Sequence, residues 1–239
     1  MKIAISGSNG YIASNLILRL VAAQHEIIPI KRSMLNDVDQ LAELLSGTSV
    51  VINLAGAPIL VRWTEANKNE ILRSRIDTSQ NIVQAINSLP EDKRPSVYIS
   101  ASAVGIYSSD KVHTEESTSF STDFVGKVVK GWENASNELT LSIRRVVFRI
   151  GLILGKGAKT IQNLVPVIKM GLGGKIGTGK QPFPFVHIDD ATKAIIWSIE
   201  NQKAHGIYNL VAPENIDNKT FTETLAKFLN RPAFFTVPA

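Results

Sequence analysis

A glycine-rich turn near the start of the chain is the first candidate for chemistry. Gly7-Ser8-Asn9-Gly10 follows a short apolar run, and Tyr11-Ile12 opens a segment with helical apolar spacing. Glycines in such a turn permit a positive φ angle and let backbone N–H groups approach a phosphate at the helix N-terminus. Ala13, at the third position of the pattern, is small enough for close packing of helix on strand. Because the turn joins the first strand to the first helix, it predicts a pyrophosphate site of a dinucleotide rather than an ordinary turn.

Two basic residues follow the next apolar run. In NAD-binding folds an acidic residue about twenty positions after the turn bonds the ribose 2′-hydroxyl, whereas an arginine there accommodates the 2′-phosphate of NADP. This sequence has Lys31-Arg32-Ser33 at that point and no carboxylate until Asp37. The planar donor fork of arginine suits a phosphate. The pattern therefore favours NADP over NAD, the alternative being two charges on a solvated strand end.

These residues need a scaffold that brings strand ends together, and the apolar pattern predicts one. Short β-branched runs alternate with longer stretches of helical period, which is typical of βαβ units and a parallel sheet. Right-handed crossovers place the C-terminal ends of such strands on one edge, where these sheets bind ligands. We predict strands over Lys2–Ser6, Glu26–Lys31, Ser49–Leu54, Ser96–Ser100 and Ile143–Arg149, and helices over Tyr11–Ala23, Val38–Leu45, Glu65–Ser88 and Phe124–Glu138.

The length of the connections refines this picture. The segment from Ser33 to Thr48 has little room for a full strand, so the second strand is expected at or near a sheet edge. After Arg149 the chain becomes rich in glycine, which indicates a boundary. The expectation is an α/β protein with a Rossmann-type doubly wound parallel sheet, in which residues 1–150 form an NADP-binding domain. Residues 151–239 are expected to form a small, discontinuous C-terminal substrate lobe.

Composition excludes several classes of protein. The 239 residues include no cysteine, 44% hydrophobic residues and no apolar run long enough to cross a bilayer. The start lacks the apolar core of a secretory signal, so a cytoplasmic location is expected. The net charge of +5 comes from scattered basic residues without an aromatic ladder, which argues against a nucleic-acid partner. A small-molecule substrate is the partner expected, and no metal is, because His25, His113 and His205 lack ligand spacing.

Motifs along the whole chain resemble the extended short-chain dehydrogenase/reductase superfamily. More narrowly, they resemble its atypical nucleoside-diphosphate-sugar-epimerase-like subfamily, whose relatives commonly continue for several more helices. We therefore expect part of the substrate lobe to be missing. The motifs are the glycine turn, Asn53–Ile59, Arg62-Trp63-Thr64 with Glu70 and Ser74-Arg75, Ser100–Gly105, Arg149–Gly155, Gly171–Gly174 with Gly177 and Gly179, Phe185–Asp190 and Tyr208–Pro213.

The resemblance implies which residues contact NADP. Physical reasoning supports part of the set independently, because small residues after the third strand let a cofactor pass and Arg75 extends from a helix toward a phosphate. For Glu70 an ion pair with a neighbouring base is an equal alternative. The implied cofactor residues are Gly7, Ser8, Asn9, Gly10, Tyr11, Ile12, Lys31, Arg32, Leu54, Ala55, Gly56, Glu70, Arg75 and Ile153.

The resemblance also implies a Ser–Tyr–Lys mechanism, and here the sequence departs from the family. In that mechanism the tyrosine hydroxyl exchanges a proton with the substrate oxygen, lysine lowers the tyrosine pKa, and serine holds the oxygen. Ser102 matches the serine, but the following helix contains no tyrosine, and Val125 and Val129 fall near the expected sites. Tyr107 precedes Lys111 by four residues in a loop, where it either points into the cleft or packs. The sequence favours Ser102 over Tyr107 as the residue on which catalysis depends.

Two functions from different classes follow. One is an NADP-dependent oxidoreductase or epimerase-like enzyme with an altered proton-transfer arrangement, acting on a small molecule such as a nucleotide sugar. The other is a catalytically silent NADP-binding sensor or scaffold, which the missing tyrosine would permit. His187, just before Asp189-Asp190, is expected to tie a strand to a helix N-terminus.

Overall fold

The computed structural model describes residues 1–109 and 111–238, so Ala239, the last residue of the expected lobe, lies outside the described residues. Its centre is a six-stranded parallel sheet with strand order β2-β1-β3-β4-β5-β9. The strands of this sheet are β1 (Lys2–Ser6), β2 (Glu26–Ile30), β3 (Val50–Asn53), β4 (Val97–Ala103), β5 (Arg144–Ile150) and β9 (Gly206–Leu210).

Helices cover both faces of the sheet. The helices are α1 (Tyr11–Ala22), α2 (Val38–Leu45), α3 (Glu65–Ser88), α4 (Phe124–Asn134), α5 (Lys159–Lys169), α6 (Ile188–Glu200) and α7 (Asn218–Phe228). Apolar side chains of α1 and α6 bury one face, and those of α2 and α3 bury the other. The doubly wound Rossmann-type sheet predicted from the sequence is confirmed, and β2 lies at its edge as expected.

The four inner strands, β1, β3, β4 and β5, are buried over most of their length because both faces of the sheet are covered. Ile3, Ile52 and Ile99 face α1 and α6, whereas Val51 and Tyr98 face α2 and α3. A parallel sheet enclosed in this way needs near-continuous apolar strands, which the β-branched runs supply. The same arrangement brings the C-terminal ends of β1, β3, β4 and β5 to one edge.

The sixth strand was missed by the sequence analysis. β9 pairs in parallel with β5, from Val146 opposite Gly206 to Ile150 opposite Leu210. Its residues are only half-buried, so its apolar pattern is weaker than that of the inner strands. Before β9 the chain contributes α6 to the main core, so residues 188–210 belong to the sheet layer. The two-domain division at residue 150 stays a prediction.

The remaining elements form a smaller layer beside the sheet edge. They include β6 (Leu152–Leu154) paired with β8 (Phe185–His187), and β7 (Gly174–Ile176) paired with β10 (Phe235–Val237). Phe183 stacks on Phe221 of α7 with ring centroids 4.0 Å apart, which fixes the segment before β8 against this layer. Backbone hydrogen bonds from Gly151 to Leu210 at 3.1 Å and from Ala212 to Phe185 at 2.6 Å place the layer next to the C-terminal ends of β5 and β9.

Candidate cofactor and substrate site

The turn between β1 and α1 requires glycine at one position for a steric reason. Gly7 has a φ of +66°, and a Cβ built there would lie 2.6 Å from the carbonyl oxygen of Leu54. The turn therefore packs directly on the backbone that follows β3. Gly10 differs, because its φ is −73° and its ψ is 158°. The expectation of positive φ angles holds at Gly7 and is wrong at Gly10.

Gly10 instead keeps the start of α1 open. It precedes the first residue of the helix, and an added Cβ would have only the Gly7 carbonyl oxygen nearby, at 3.0 Å. Within the described part of the chain no side chain caps this helix, and its first turn carries no acidic residue. Ser8 and Asn9 form the tip of the turn. The first N–H groups of α1, including those of Tyr11 and Ile12, therefore face a space without a competing anion.

The Tyr11 side chain joins the start of α1 to the smaller layer. Its hydroxyl donates to the carbonyl oxygen of Lys156 at 2.9 Å. Gly155 lies so close that an added Cβ would be 2.7 Å from the same hydroxyl. Burial, followed by the charge of Asp189, raises the pKa of Tyr11, so its phenol stays protonated. Ile153 of β6 packs against the core nearby. Tyr11 thus links the glycine turn to the smaller layer.

A second group of implied residues meets beyond β2. Lys31 and Arg32 begin a short 3₁₀ turn directly after the strand, and both are exposed. The Arg32 guanidinium forms an ion pair with the carboxylate of Glu70 on α3. Its side chain is 83% exposed, so most of its donors remain accessible to a ligand. Glu70 therefore has the ion-pairing role that the sequence left open, with a base from another element.

Arg75 lies on the wall formed by Leu54, Ala55 and Gly56 but does not extend into the open. Its guanidinium donates to the carbonyl oxygens of Ile71 and Ala57, each at 3.0 Å. An added Cβ at Gly56 would be 3.0 Å from that guanidinium. Burial lowers the pKa of Arg75. Arg75 thus supports the loop after β3, and its expected contact with a phosphate of the cofactor stays a prediction.

Buried hydrogen bonds with residues of β1, β3 and α3 also fix the loop after β3. Ser6 donates from its hydroxyl to the Asn53 side-chain oxygen at 2.6 Å, and the Ala55 N–H donates to the Ser6 hydroxyl at 3.2 Å. Asn53 donates in turn to Ser79 of α3 at 2.9 Å. All four groups are buried. This cluster fixes the ends of β1 and β3 together, which is the edge at which the glycine turn opens.

Ser102 lies on β4 at the expected edge, but its hydroxyl has an unexpected partner. Only 3% of its surface is exposed, and its Oγ donates to the Glu133 carboxylate at 2.5 Å. Glu133 comes from α4 and forms a two-point ion pair with Arg149 of β5, with both nitrogen–oxygen distances 2.8 Å. The Glu133 and Arg149 side chains are 11% and 3% exposed. The candidate serine is therefore part of a buried charged cluster.

Tyr107 joins the same cluster from the other side. Arg149 donates from Nη1 to the Tyr107 hydroxyl oxygen at 2.7 Å, and Tyr107 donates to the Asn209 side-chain oxygen at 2.8 Å. Burial lowers the pKa of the Arg149 guanidinium, but hydrogen bonds and charge interactions with Glu133 and Tyr107 outweigh burial and raise it. Arg149 is therefore a permanent cation. Its guanidinium carbon also lies 5.0 Å from the Tyr107 ring centre.

A cleft opens beside this cluster. Its volume is about 750 Å³, and its lining residues come from residues 104–109, 111–113, 180–184 and 209–220. Tyr107 and Asn209 both line it, as does His113, whose ring stacks on Tyr107 at 4.7 Å. The interpretation in which Tyr107 points into the cleft therefore agrees with its position. A cleft of this size suits a small molecule.

Helix α4 presents apolar residues where the family motif has tyrosine and lysine. Val129 is buried, and Val125 lies so close to Gly105 that an added Cβ there would be 2.9 Å from its methyl group. Lys127 and Lys130 are exposed. Glu133, further along the same helix, is the only carboxylate that α4 contributes to the cluster. The sequence analysis assigned no role to Glu133 or to the Arg149 side chain, although a charged residue on an apolar helix face is itself a signal.

Three further expectations concern the cap of α6, metal binding and membrane-spanning helices. His187 caps α6 by accepting the Asp189 N–H at 3.2 Å, as expected. Among residues 1–109 and 111–238, no three His, Asp or Glu side chains are grouped so that they could hold a metal ion. Every helix in that part of the chain is too short or too polar to cross a bilayer.

Comparison with known sequences gives matches over the whole chain. The model of the NAD dependent epimerase/dehydratase family matches residues 3–210. Epimerase family protein YfhF of Bacillus subtilis is 34% identical over 255 residues, covering 100% of this chain and 83% of YfhF. The SDR39U1 homolog of Arabidopsis thaliana, an epimerase family protein described as chloroplastic, is 30% identical over 255 residues, covering 100% and 74%.

Comparison with solved structures agrees. The crystal structure of human epimerase family protein SDR39U1 (isoform 2) with NADPH superimposes with a TM-score of 0.89 at 31% identity. The match covers 100% of this chain and 83% of the human chain. The resemblance inferred from the motifs is therefore confirmed.

Proposed function

This chain belongs to the NAD dependent epimerase/dehydratase family, and from that membership we propose that it binds NADP(H) and acts as an oxidoreductase or epimerase-like enzyme on a small molecule. The observation that carries the proposal is the uncapped start of α1 behind the turn at Gly7 and Gly10, with Arg32 exposed beyond β2. A human relative crystallised with NADPH supports the choice of cofactor.

The residues present fit this cofactor. The space in front of Gly10 holds no side chain of its own, and the N–H groups of α1 suit a pyrophosphate. Lys31 and Arg32 would hold the 2′-phosphate, and Leu54-Ala55 with Ile153 would line the path toward the cleft. Reduced nicotinamide supplies a hydride when it is bound. The chain's own contribution is then to bind and orient a substrate in the cleft and to exchange a proton with its oxygen.

The substrate proposed is a small polar molecule. The cleft lining carries amides and hydroxyls at Gln181, Asn215 and Thr220, together with Lys111 and Lys180. These groups suit a ligand rich in oxygen, such as a nucleotide sugar. The expected cytoplasmic location stays a prediction, because the Arabidopsis relative is described as chloroplastic.

A catalytically silent sensor is the second candidate, and the absence of tyrosine from α4 favours it. The two candidates differ in turnover. Substrate-dependent loss of NADPH absorbance across a panel of aldehydes, ketones and nucleotide sugars would support the enzyme. Tight NADPH binding without turnover on any member of the panel would support the sensor.

The cofactor proposal is tested by titrating the protein with NADPH and NADH and following cofactor fluorescence. Arg32 is expected to favour NADPH by about ten- to a hundredfold, because charge-assisted hydrogen bonds contribute roughly 1.5–3 kcal/mol. Arg32→Ala should remove most of that preference. Arg73→Ala is the matched control, because Arg73 is an exposed arginine paired with Asp77 on α3. Equal affinities for the two cofactors in the wild type would contradict the assignment of Lys31 and Arg32.

A further inference from the structure

The Glu133–Arg149 pair needs a reason beyond stability. Both side chains are almost fully buried, and taking two charges out of water offsets most of the attraction between them. Apolar residues of similar size would often stabilise such a position equally well. The pair also lies at the C-terminal edge of the sheet, where ligands bind in this fold. The groups that the pair holds supply such a reason.

What the pair holds is the Tyr107 hydroxyl. Glu133 occupies Nε and Nη2 of Arg149, which directs Nη1 at the tyrosine oxygen 2.7 Å away. The phenol proton is donated to the side-chain oxygen of Asn209 at 2.8 Å. A substrate oxygen can replace Asn209 as acceptor of that proton, because Tyr107 and Asn209 both line the cleft. The arginine meanwhile stays in contact with the phenol oxygen.

The alternative candidate is arranged differently. Ser102 is buried, and its hydroxyl directs its proton at Glu133, away from a substrate. Moving that proton to a ligand would leave a buried carboxylate with one donor fewer, which costs free energy. Of the two hydroxyls in the cluster, Tyr107 is therefore the one that a substrate can reach.

We propose that Tyr107 is the proton donor to the carbonyl oxygen of the substrate, and that Arg149, oriented by Glu133, is the positioning residue that stabilises the phenolate left behind. This inference rests on the proposed function. In the reducing direction the carbonyl carbon gains hydrogen with its electron pair from the reduced nicotinamide. The C=O π electrons move to oxygen, the phenol O–H bond breaks, and its proton passes to that oxygen. Water in the cleft then returns a proton to Tyr107.

The arrangement replaces the missing helix residues by others. A guanidinium fixed by a buried carboxylate takes the place that a lysine has in the family, and a tyrosine after β4 takes the place of one on α4. The cation is permanent, because interactions with Glu133 and Tyr107 raise the pKa of Arg149. Positioned charge of this kind acts on the transition state without reorganising.

The test uses a coloured aldehyde as a reporter of hydrogen bonding. 4-(Dimethylamino)cinnamaldehyde absorbs at longer wavelength when its carbonyl oxygen accepts a strong hydrogen bond. It is added to protein saturated with NADP⁺, which cannot reduce it, so the absorption maximum reports binding without turnover. We expect a red shift with wild type, loss of the shift with Tyr107→Phe, and retention with Ser102→Ala. Arg149→Lys, which keeps a cation, should retain more of the shift than Arg149→Met.

The outcomes separate this inference from the proposed function. Failure of the wild type to bind NADP⁺ would overturn the proposed function itself. Binding of NADP⁺ with no red shift, or an equal shift in Tyr107→Phe and wild type, would overturn the inference alone. Loss of the shift in Ser102→Ala but not in Tyr107→Phe would also overturn it. Tyr107→Phe keeps the ring that stacks on His113, so the variant is expected to fold.

The turnover rate provides a second measurement on the same variants. With NADPH in place of NADP⁺, removal of a general acid is expected to lower kcat by about a hundredfold or more in Tyr107→Phe. The Kd for NADPH should stay unchanged, because Tyr107 is not among the residues proposed to hold the cofactor. Wild-type kcat in Tyr107→Phe would overturn the assignment.

Discussion

Removing the Arg149 side chain tests how much of the fold depends on the buried cluster. Arg149→Met keeps much of the side-chain volume but deletes the cation. Among the described residues of the cluster, Ser102 is then the remaining donor to Glu133, whose side chain is 11% exposed in the wild type. Two hydrogen bonds to Glu133 and one to Tyr107 disappear. Breaking a buried pair by removing one partner costs about 3–5 kcal/mol. Since each kcal/mol shifts Tm by about 2–4 °C in a chain of this size, the drop should be roughly 6–20 °C.

The assays are thermal unfolding for Tm and urea unfolding for the free energy, both followed by circular dichroism, with Arg19→Met as the matched control. Arg19 pairs with Asp189 at 2.5 Å, but the two side chains are 38% and 52% exposed. An exposed pair contributes about 0–1 kcal/mol, so the control should unfold close to the wild-type midpoint.

A double variant completes the argument. Arg149→Met with Glu133→Met removes both charges, so the uncompensated buried carboxylate no longer exists. We expect the double variant to be more stable than Arg149→Met alone. The reasoning is refuted if Arg149→Met costs under about 1 kcal/mol, or if the double variant is less stable than the single one.

Three other predictions concern turns and caps. Gly7→Ala should destabilise the protein by at least about 1–2 kcal/mol in urea unfolding, because its φ is +66° and the new Cβ would meet Leu54 at 2.6 Å. Gly10→Val should have a urea midpoint near that of the wild type yet lose NADPH binding in a fluorescence titration, because the valine side chain would fill the space before α1. An unchanged Kd for NADPH would mean that the turn is purely structural. Hydrogen bonds from the Thr220 hydroxyl and backbone hold the pKa of Asp217 below its usual range. The charged Asp217 carboxylate therefore stabilises α7 fully at neutral pH, and this stabilisation is lost as the pH falls through the lowered pKa. The Tm difference between Asp217→Ala and wild type should accordingly shrink in acid. A Tm difference that stays constant with pH would contradict this.

Strand and helix positions were predictable where one residue pattern dominates. Glu65–Ser88 and Val38–Leu45 match the structure at both ends, because Thr64 and Asp37 cap them in the way that such residues do. Phe124–Asn134 ends four residues before the predicted Glu138, because the chain turns where Ser136 bonds back to the Glu133 carbonyl. β9 was missed because an edge strand that is half-buried lacks a clear period.

The cofactor side of the site was more predictable than the catalytic side. The glycine turn, Lys31 and Arg32 depend on local sequence, and their positions follow from the first two strands. The cluster around Arg149 depends on side chains from β4, α4, β5 and β9, which meet only through the sheet order. The contact of Arg75 with Ala57 was unpredictable for a similar reason, since it depends on how α3 lies beneath the loop.

The position of β9 has a consequence for synthesis of the chain on the ribosome. β5 is complete at Ile150, but its outer partner begins at Gly206. The residues between them take roughly 3–11 seconds to make at about 5–20 residues per second. During that interval β5 presents an unpaired hydrogen-bonding edge, and the face awaiting α6 is bare. Nascent chains of this protein therefore pass through a stage at which strand-to-strand association between neighbouring polypeptides competes with folding, and slow stretches of translation before residue 206 would lengthen it.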